Sequence, residues 1–307
     1  MTADIREKPS VRPEDVLALN FIRSSPACAF RTHYRQGLRS HILEVLDPED
    51  LEAEQAGVAE DGLLRFPRAR PVRMFRVFRT RFHSLEEGLE EIARVKLVER
   101  HLGAEHMARS EEFLVDYVLQ GRRDLLLCGL QEYVEGEPLD PWSPVRGDLP
   151  VELARRLTQR APSSARPTVK DLAEAIRTGA ASFVDRMKRM VLEAACIPDL
   201  AGVSNLIVSP SGGIKLVDIN NVSRVPLSGG IPLDDKGYPI CDKSVQALFL
   251  LEQKLLGRDP DPGDPLYGRF LDPVRVRRVK EVEAAFHRGT PFPALPDPHG
   301  VAKSPKP

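Results

Sequence analysis

The sequence predicts an α+β protein in two parts: a strand-rich first part around one helix, then a mainly helical second part. Three observations predict it. Before residue 140 the apolar residues fall mostly in short strand-like runs, broken by a single stretch at helical spacing. After residue 140 the longest periodic stretches are helical. The two parts are joined through a polar segment rich in Pro, Ser and Arg.

Taken in order, residues 1–14 are polar with Pro9 and Pro13, and are expected to form a flexible arm. The first part, 15–134, opens with a strand-like Ile42-Leu43-Glu44-Val45. A second strand is expected over Val72 to Phe82. Leu85, Leu89, Ile92, Val95 and Leu102 then recur at helical spacing. Ser84 stands where a capping hydroxyl is wanted, and Glu86 and Glu87 suit the positive end of the helix dipole. Strands follow over Phe113 to Leu119 and Leu125 to Val134, with Gly121 in the turn between them.

The second part, 135–288, begins with a segment, Pro150 to Thr168, that reads as a surface connection. Leu172, Ile176, Phe183, Met187, Met190 and Ala194 mark a long amphipathic helix from Val169 to Ala195, which Pro198 brings to an end. Two short strands, Leu206 to Val208 and Ile214 to Val217, flank Gly212-Gly213. A further helix is expected over Ser244 to Leu256. The tail, 289–307, holds six prolines and cannot build regular hydrogen-bonded structure.

Composition narrows the function classes. The chain has 307 residues, 44 basic against 45 acidic, and a net charge of −1. Charge so balanced gives no reason to expect nucleic acid or an anionic membrane surface as partner. No apolar run approaches the ~20 residues that span a bilayer. The N-terminal residues carry no apolar signal core, and a cytoplasmic location is expected. Cys28, Cys128, Cys196 and Cys241 are widely spaced, form no zinc-type pattern, and are expected to be buried, reduced thiols.

The informative stretch runs from Ile197-Pro198-Asp199 through Ser204-Asn205-Leu206 and Gly212-Gly213 to Val217-Asp218. Its order is an acid, a short loop, an amide, a strand, a tight turn, a strand and a second acid. Such a hairpin carries Asn205 and Asp218 to one end. Hard oxygen donors gathered in this way suit Mg²⁺, which keeps waters and shares phosphate oxygens. Asp199, on the loop before them, could take a proton from a hydroxyl. On spacing alone the stretch reads equally as a plain β-hairpin with polar ends.

This stretch, in its context, resembles the protein-kinase-like superfamily. The likeness covers roughly residues 30–285 and is carried by short motifs. It implies a bilobal kinase-like fold, with a β-rich N-lobe holding one helix and a mainly helical C-lobe. It also implies ATP and Mg²⁺ as cofactors. In its terms Asp218 is the metal-binding acid, followed by Ile219-Asn220 where the family has Phe-Gly. Asn205 is the metal-binding amide. Asp199 is the catalytic acid, although Ile197-Pro198 stand where His-Arg or His-Gly is usual and the gap to Asn205 is six, one more than usual. Leu130 to Gly136 resembles the hinge, where main-chain groups of Glu132 and Val134 would bind adenine; read alone it is a strand leading to a glycine turn.

The helix after Ser84 resembles the single N-lobe helix. Glu91, with Glu90 beside it, would pair with the strand cation that holds the phosphates; both also suit exposed ion pairs. Lysine is missing from that strand, and Arg76 fits its place best among Arg73, Arg76, Arg79 and Arg81. The phosphate-covering loop is reduced to Gly37 in Tyr34 to Ser40, which by itself reads as a turn. Asp242, in Pro239 to Leu248, resembles the acid that supports the catalytic-loop backbone. The implied activity is phosphate transfer from ATP to a hydroxyl acceptor, protein or small molecule. The alternative is a pseudokinase that binds nucleotide as a regulatory or scaffold module.

Overall fold

The computed structural model describes residues 4–23, 28–34, 37, 39–144, 147–160, 167–226, 229–257, 259, 261 and 263–289. The chain is α+β and divides into two compact units, Met1–Glu137 with Ile207–Asn220, and Pro138–Leu206 with Asn221–Pro307. In order, a 3-10 turn at Ile5–Glu7 precedes α1 (Pro13–Leu17), β1 (Ala29–Thr32), β2 (Ser40–Leu46), α2 (Pro48–Ala56), β3 (Val58–Glu60), β4 (Leu63–Arg65) and β5 (Pro71–Phe78). Then come α3 (Leu85–His106), β6 (Ser110–Leu119), β7 (Arg122–Glu132), β8 (Glu137–Leu139), α4 (Leu149–Arg160) and α5 (Val169–Ala194). The chain closes through β9 (Cys196–Pro198), β10 (Leu206–Val208), β11 (Ile214–Leu216), β12 (Val222–Arg224), α6 (Ile240–Leu256), α7 (Pro265–Phe270) and α8 (Pro273–His287).

The first unit is built on a five-stranded antiparallel sheet in the order β1-β2-β5-β7-β6. Strand residues alternate between its faces. One face buries Leu43, Phe75, Val77, Tyr117, Leu126 and Cys128. The other buries Phe78, Phe82 and Leu127, with Ile92 of α3 packed beside them. α3 comes close to β6 because Gly88 has no side chain: a Cβ there would stand 2.7 Å from a Leu114 methyl. Of the apolar residues expected to bury α3, Val95 and Leu102 do so. Leu85 and Leu89 lie exposed, and Gly88 and Val98 take the inner face instead.

Residues 4–14 of the stretch expected to be a flexible arm are packed on the first of those faces. Ile5, Val11 and Val16 are buried against the sheet. Without them the apolar residues of that face would meet water. Arg6 fixes the segment: its guanidinium is buried, binds Asp4 and Asp124, donates to the Leu125 carbonyl at 3.3 Å, and lies 5.6 Å from the Tyr117 ring centre. Polar composition concealed this, because the few apolar residues are spaced for a segment laid across a sheet rather than for a helix.

The second unit is mainly helical. α5 buries Leu172, Ile176, Phe183, Met187 and Met190 along one face, capped at its start by the Thr168 hydroxyl. Pro150 to Thr168 was expected as a surface connection. The structure instead begins α4 at Leu149 and carries it to Arg160, with Leu149, Leu153, Ala154 and Leu157 buried. Pro150 falls in the first turn, where its missing N–H breaks no helical bond. The segment 161–166 and the residues 290–307 of the expected tail lie outside the described residues. α6 starts at Ile240, four residues before the expected Ser244. Cys128 and Cys241 are buried, the latter's thiol pushed up to about 12 by burial, while Cys28 and Cys196 are half-buried rather than buried. Among the described residues no helix is long and apolar enough to cross a membrane.

His41 supplies a test of the packed N-terminal segment. Its ring is fully buried in β2; Nε2 donates to the Ile5 carbonyl at 2.9 Å, and Nδ1 lies 3.4 Å from the Arg79 guanidinium. Burial first, then the Arg79 charge, lowers its pKa from 6.5 to about 4. Between those values the unfolded chain binds a proton that the folded chain refuses. Stability is therefore present above pH 6.5 and falls as pH drops toward 4. Urea titrations at pH 6.5 and pH 5 should show the wild type losing about 2 kcal/mol more than His41→Gln. Parallel losses in the two proteins would mean that His41 carries none of the acid sensitivity.

Candidate functional site

The sequence motifs fall into two clusters, one in each unit. In the first unit the centre is Arg76. It sits mid-strand on β5, opposite Gly129 of β7, on the face that also holds Phe78 and α3. Its side chain is 2% exposed. Nη2 donates to Asp218 Oδ1 at 3.0 Å and lies 3.4 Å from Ser40 Oγ. Nη1 lies 3.4 Å from both the Val217 carbonyl and Gln131 Oε1. Only the bond to Asp218 is short, and Nε has no hydrogen-bond partner although it is buried.

Asp218 reaches this cation because of how β11 is anchored. The turn at Gly212 (φ 88°) closes the β10–β11 hairpin, with the Ser209 N–H donating to the Gly213 carbonyl at 2.8 Å. The end of α3 then grips β11: His106 Nδ1 lies 3.1 Å from the Ile214 carbonyl, and the Ala108 N–H donates to the Leu216 carbonyl at 2.9 Å. Gln131 Nε2 donates to the Val217 carbonyl at 2.9 Å. The backbone before Asp218 is thus held from two sides. Asp218 Oδ1 also accepts the Asn220 N–H at 3.4 Å, while its side chain stays about a third exposed (36%). Asn220 is buried; its Nδ2 lies 3.5 Å from Ser40 Oγ, and its Oδ1 has no partner. Ser40, Arg76, Gln131, Asp218 and Asn220 form one polar cluster with two buried atoms unsatisfied, Arg76 Nε and Asn220 Oδ1. Buried polar atoms left without partners in this way are rare, and a water or a ligand is one of the groups that could meet them.

The other expected residues of the first unit lie as follows. Glu91 accepts from Arg94 Nη1 at 2.7 Å on its own helix, and Glu90 lies 3.7 Å from the same arginine. The cation of β5 therefore has Asp218 as its ion-pair partner, and Glu91 has Arg94. Glu132, at the end of β7, binds Lys215 through its carboxylate, and its main-chain N–H donates to the Arg109 carbonyl at 2.9 Å. That N–H is committed to the fold, so of the Glu132 main-chain groups expected at adenine the N–H is already used. Val134 follows β7, half-buried. Gly136 just beyond has φ 155°, and a Cβ there would lie 2.1 Å from the Val208 carbonyl oxygen, so only glycine fits. Of the loop 34–40, residues 35, 36 and 38 lie outside the described residues.

In the second unit the centre is the loop from Asp199 to Asn205. Its entry, β9, pairs antiparallel with β12, and the Asp199 N–H donates to the Asn221 carbonyl at 2.8 Å. Asp199 Oδ1 accepts the N–H groups of Ala201 at 2.9 Å and Gly202 at 3.1 Å. Asn205 is buried and donates through Nδ2 to the Asp199 carbonyl at 2.9 Å. The loop packs tightly enough that a Cβ on Gly202 would stand 2.4 Å from Asn205 Nδ2. Trp142 Nε1 donates to the Ala201 carbonyl at 2.8 Å, and Lys243 Nζ stands 4.2 Å from the centre of the Trp142 ring.

Asp242 does not support this loop as expected. Its carboxylate is wholly buried and faces Arg275, with Oδ1 2.5 Å from Nε and Oδ2 3.0 Å from Nη2. Arg275 also donates to the Gly229 and Gly230 carbonyls. The loop is supported two residues further on, where Ser244 Oγ accepts the Leu200 N–H at 3.2 Å. A fork-shaped guanidinium across a buried carboxylate outcompetes a single backbone N–H.

The metal expected at Asn205 and Asp218 can be tested against these donors. In the first unit Asp218 offers one oxygen beyond the one that Arg76 holds, and a divalent ion there would face the guanidinium charge. Among the described residues no three His, Cys, Asp or Glu side chains gather in a way that could hold an ion. In the second unit Asn205 Nδ2 is bonded into its loop, leaving Oδ1 as a neutral donor. Mg²⁺ is usually held by one or two carboxylates together with waters and substrate phosphates; the one carboxylate here is already paired with a guanidinium, so this donor set fits the ion poorly.

Ser40, Gln131, Asn220, Ser244 and Arg275 are the residues to which sequence reasoning gave no role. Gln131 had a signal: it is the one polar side chain in Leu125-Leu126-Leu127-Cys128-Gly129-Leu130-Gln131 apart from the Cys128 thiol. Arg275 lies 33 residues from its partner, on a helix the sequence did not single out, and had none.

No family model matches the chain, and no curated protein matches it. Among solved structures, the ROP18 kinase domain in complex with AMP-PNP and sucrose is similar at a TM-score of 0.36 and 10% identity, over 85% of this chain and 82% of that one. A score that low does not by itself establish a shared architecture.

The support of the second-unit loop can be checked by equilibrium unfolding. Asp242→Ala, which strands Arg275 as a buried unpaired charge, should cost about 3–5 kcal/mol. Ser244→Ala, which leaves one buried N–H unmet, should cost about 1–2 kcal/mol. Equal costs would contradict the assignment of the loop contact to Ser244 and of the ion pair to Asp242.

Proposed function

We propose that this chain is a kinase-like nucleotide-binding protein with ATP as ligand, acting as a regulatory or scaffold module of the pseudokinase kind. The observation that carries the reading is the contact between Arg76 and Asp218. A strand cation and the acid after a hairpin, far apart in sequence, meet in the first unit in a cluster with unmet hydrogen-bonding capacity. Guanidinium groups recognise phosphate oxygens well. The single Gly37 and the poor fit to Mg²⁺ favour binding over efficient turnover.

A second reading, phosphotransfer to a hydroxyl acceptor, has one observation in its favour. Asp199 is oriented by two backbone N–H groups on a loop braced by Trp142 and Ser244. In such a step Asp199 would take the acceptor's proton as the acceptor oxygen bonds to the γ-phosphorus and ADP departs. No membrane or nucleic-acid partner is part of either reading, and the acceptor would be a protein or a small molecule.

Thermal unfolding with millimolar ATP tests the first reading, since a ligand of the folded state raises the transition by mass action. A rise of several degrees with ATP, and little with inorganic phosphate, is expected. An unmoved transition at ATP concentrations on the order of 10 mM would remove nucleotide binding from the account. ATP turnover that Asp199→Asn abolishes, without changing the thermal shift, would select the second reading.

A further inference from the structure

We infer that the nucleotide is taken up without a divalent metal, with Arg76 as the fixed cation of the site. This rests on the nucleotide-binding reading and concerns what brings positive charge to the phosphates. A polyphosphate needs its charge balanced by the site, by a metal or by both. A metal brought by an acid needs that acid's negative charge to be available. Here the acid's charge is already matched. Asp218 Oδ1 is bonded at 3.0 Å to a guanidinium that is 2% exposed.

Arg76 cannot easily leave. It arises mid-strand on β5, between β2 and β7, and its head is framed by Ser40, Gln131 and the Val217 carbonyl. Its ring neighbour Phe78 lies 5.9 Å away on the same face. A guanidinium also does not lose its proton at any working pH. The positive charge is therefore permanent and fixed in place.

Nor is Arg76 saturated. Three of its four polar contacts are at 3.4 Å, and Nε has no partner. Asn220 Oδ1, in the same cluster, is also unmet. Donor capacity remains for a phosphate oxygen that comes to the guanidinium beside Asp218. The carboxylate then serves as the cation's resting counter-ion and not as a metal ligand. Charge on the phosphates replaces charge on Asp218, and no added cation is needed.

The two roles predict opposite effects at Asp218. As a metal ligand it is indispensable, and its loss abolishes binding. As a counter-ion it competes with the phosphates, and its loss leaves binding intact or tightens it. Asp218→Asn keeps the shape and removes the charge, and Asp218 is exposed enough for the variant to fold. Arg76→Met is the complement, and Arg76→Lys keeps the charge if the methionine variant does not fold.

The experiment is calorimetric titration of the full chain with ATP, once in excess EDTA and once in excess MgCl₂. The inference expects dissociation constants that agree within about threefold between the two buffers. Asp218→Asn should bind as well or better in EDTA, and Arg76→Met at least tenfold more weakly in both. Binding that appears only with Mg²⁺, or that Asp218→Asn abolishes in both buffers, overturns the inference and leaves nucleotide binding standing. Heat of binding in neither buffer, with the wild type folded, overturns the nucleotide reading and this inference with it. Unchanged binding by Arg76→Met removes Arg76 as the resident cation; where only Arg76→Lys folds, binding by that variant at least tenfold worse in EDTA than in MgCl₂ does the same.

Discussion

A charged guanidinium inside a sheet-and-helix core is the constraint around which the first unit is arranged. Taking Arg76 out of water costs several kcal/mol unless its charge is matched and its donors are met. The match comes from Asp218, 142 residues away, and the donors turn to Ser40, Gln131 and the Val217 carbonyl. Gly129, opposite Arg76 in the register, adds no side chain to that space. Bringing Asp218 there requires the β10–β11 hairpin to belong to the first unit, and the end of α3 holds it there through Ile214 and Leu216. The place of the hairpin in the fold follows from that charge and from those backbone bonds.

The sheet itself depends on having both faces covered. α3 covers one, and the closeness of the fit is set at Gly88 against Leu114. The N-terminal residues cover the other, where His41 and Arg6 act as polar anchors in an apolar layer. A neutral ring bonded to the Ile5 carbonyl and an arginine matched by two aspartates are both costly to bury alone. Both become tolerable because their partners are buried with them. The same economy recurs in the second unit. Asp242 and Arg275 satisfy one another, and that pairing hands the support of the Asp199 loop to Ser244.

Much of the fold was legible because it is periodic. Val95 and Leu102, the run Leu125 to Gln131, and the α5 face from Leu172 to Met190 announce their elements through spacing alone. The glycine turn of the β10–β11 hairpin was equally plain. The misreadings share a cause. Pro150 and the arginines around Leu153 and Leu157 suggested a loop, since composition outweighed a short helical period. The polar N-terminus suggested a free arm, since a segment that lies across a sheet need carry only a few apolar side chains.

For the candidate site the sequence by itself determined which chemical groups exist and their order along the chain. It placed arginines along a strand, an acid and an amide flanking a hairpin, and an acid at the start of a helix. Tertiary structure alone decided who pairs with whom. Arg76 meets Asp218, Glu91 turns to Arg94, the Glu132 N–H goes to Arg109, and Asp242 goes to Arg275. The physical reason is that a side chain's type fixes what it can bind, while its partner is set by which backbones come within hydrogen-bonding reach. That reach depends on strand register, on the close approach permitted at Gly88 and Gly136, and on where each buried charge finds its nearest opposite.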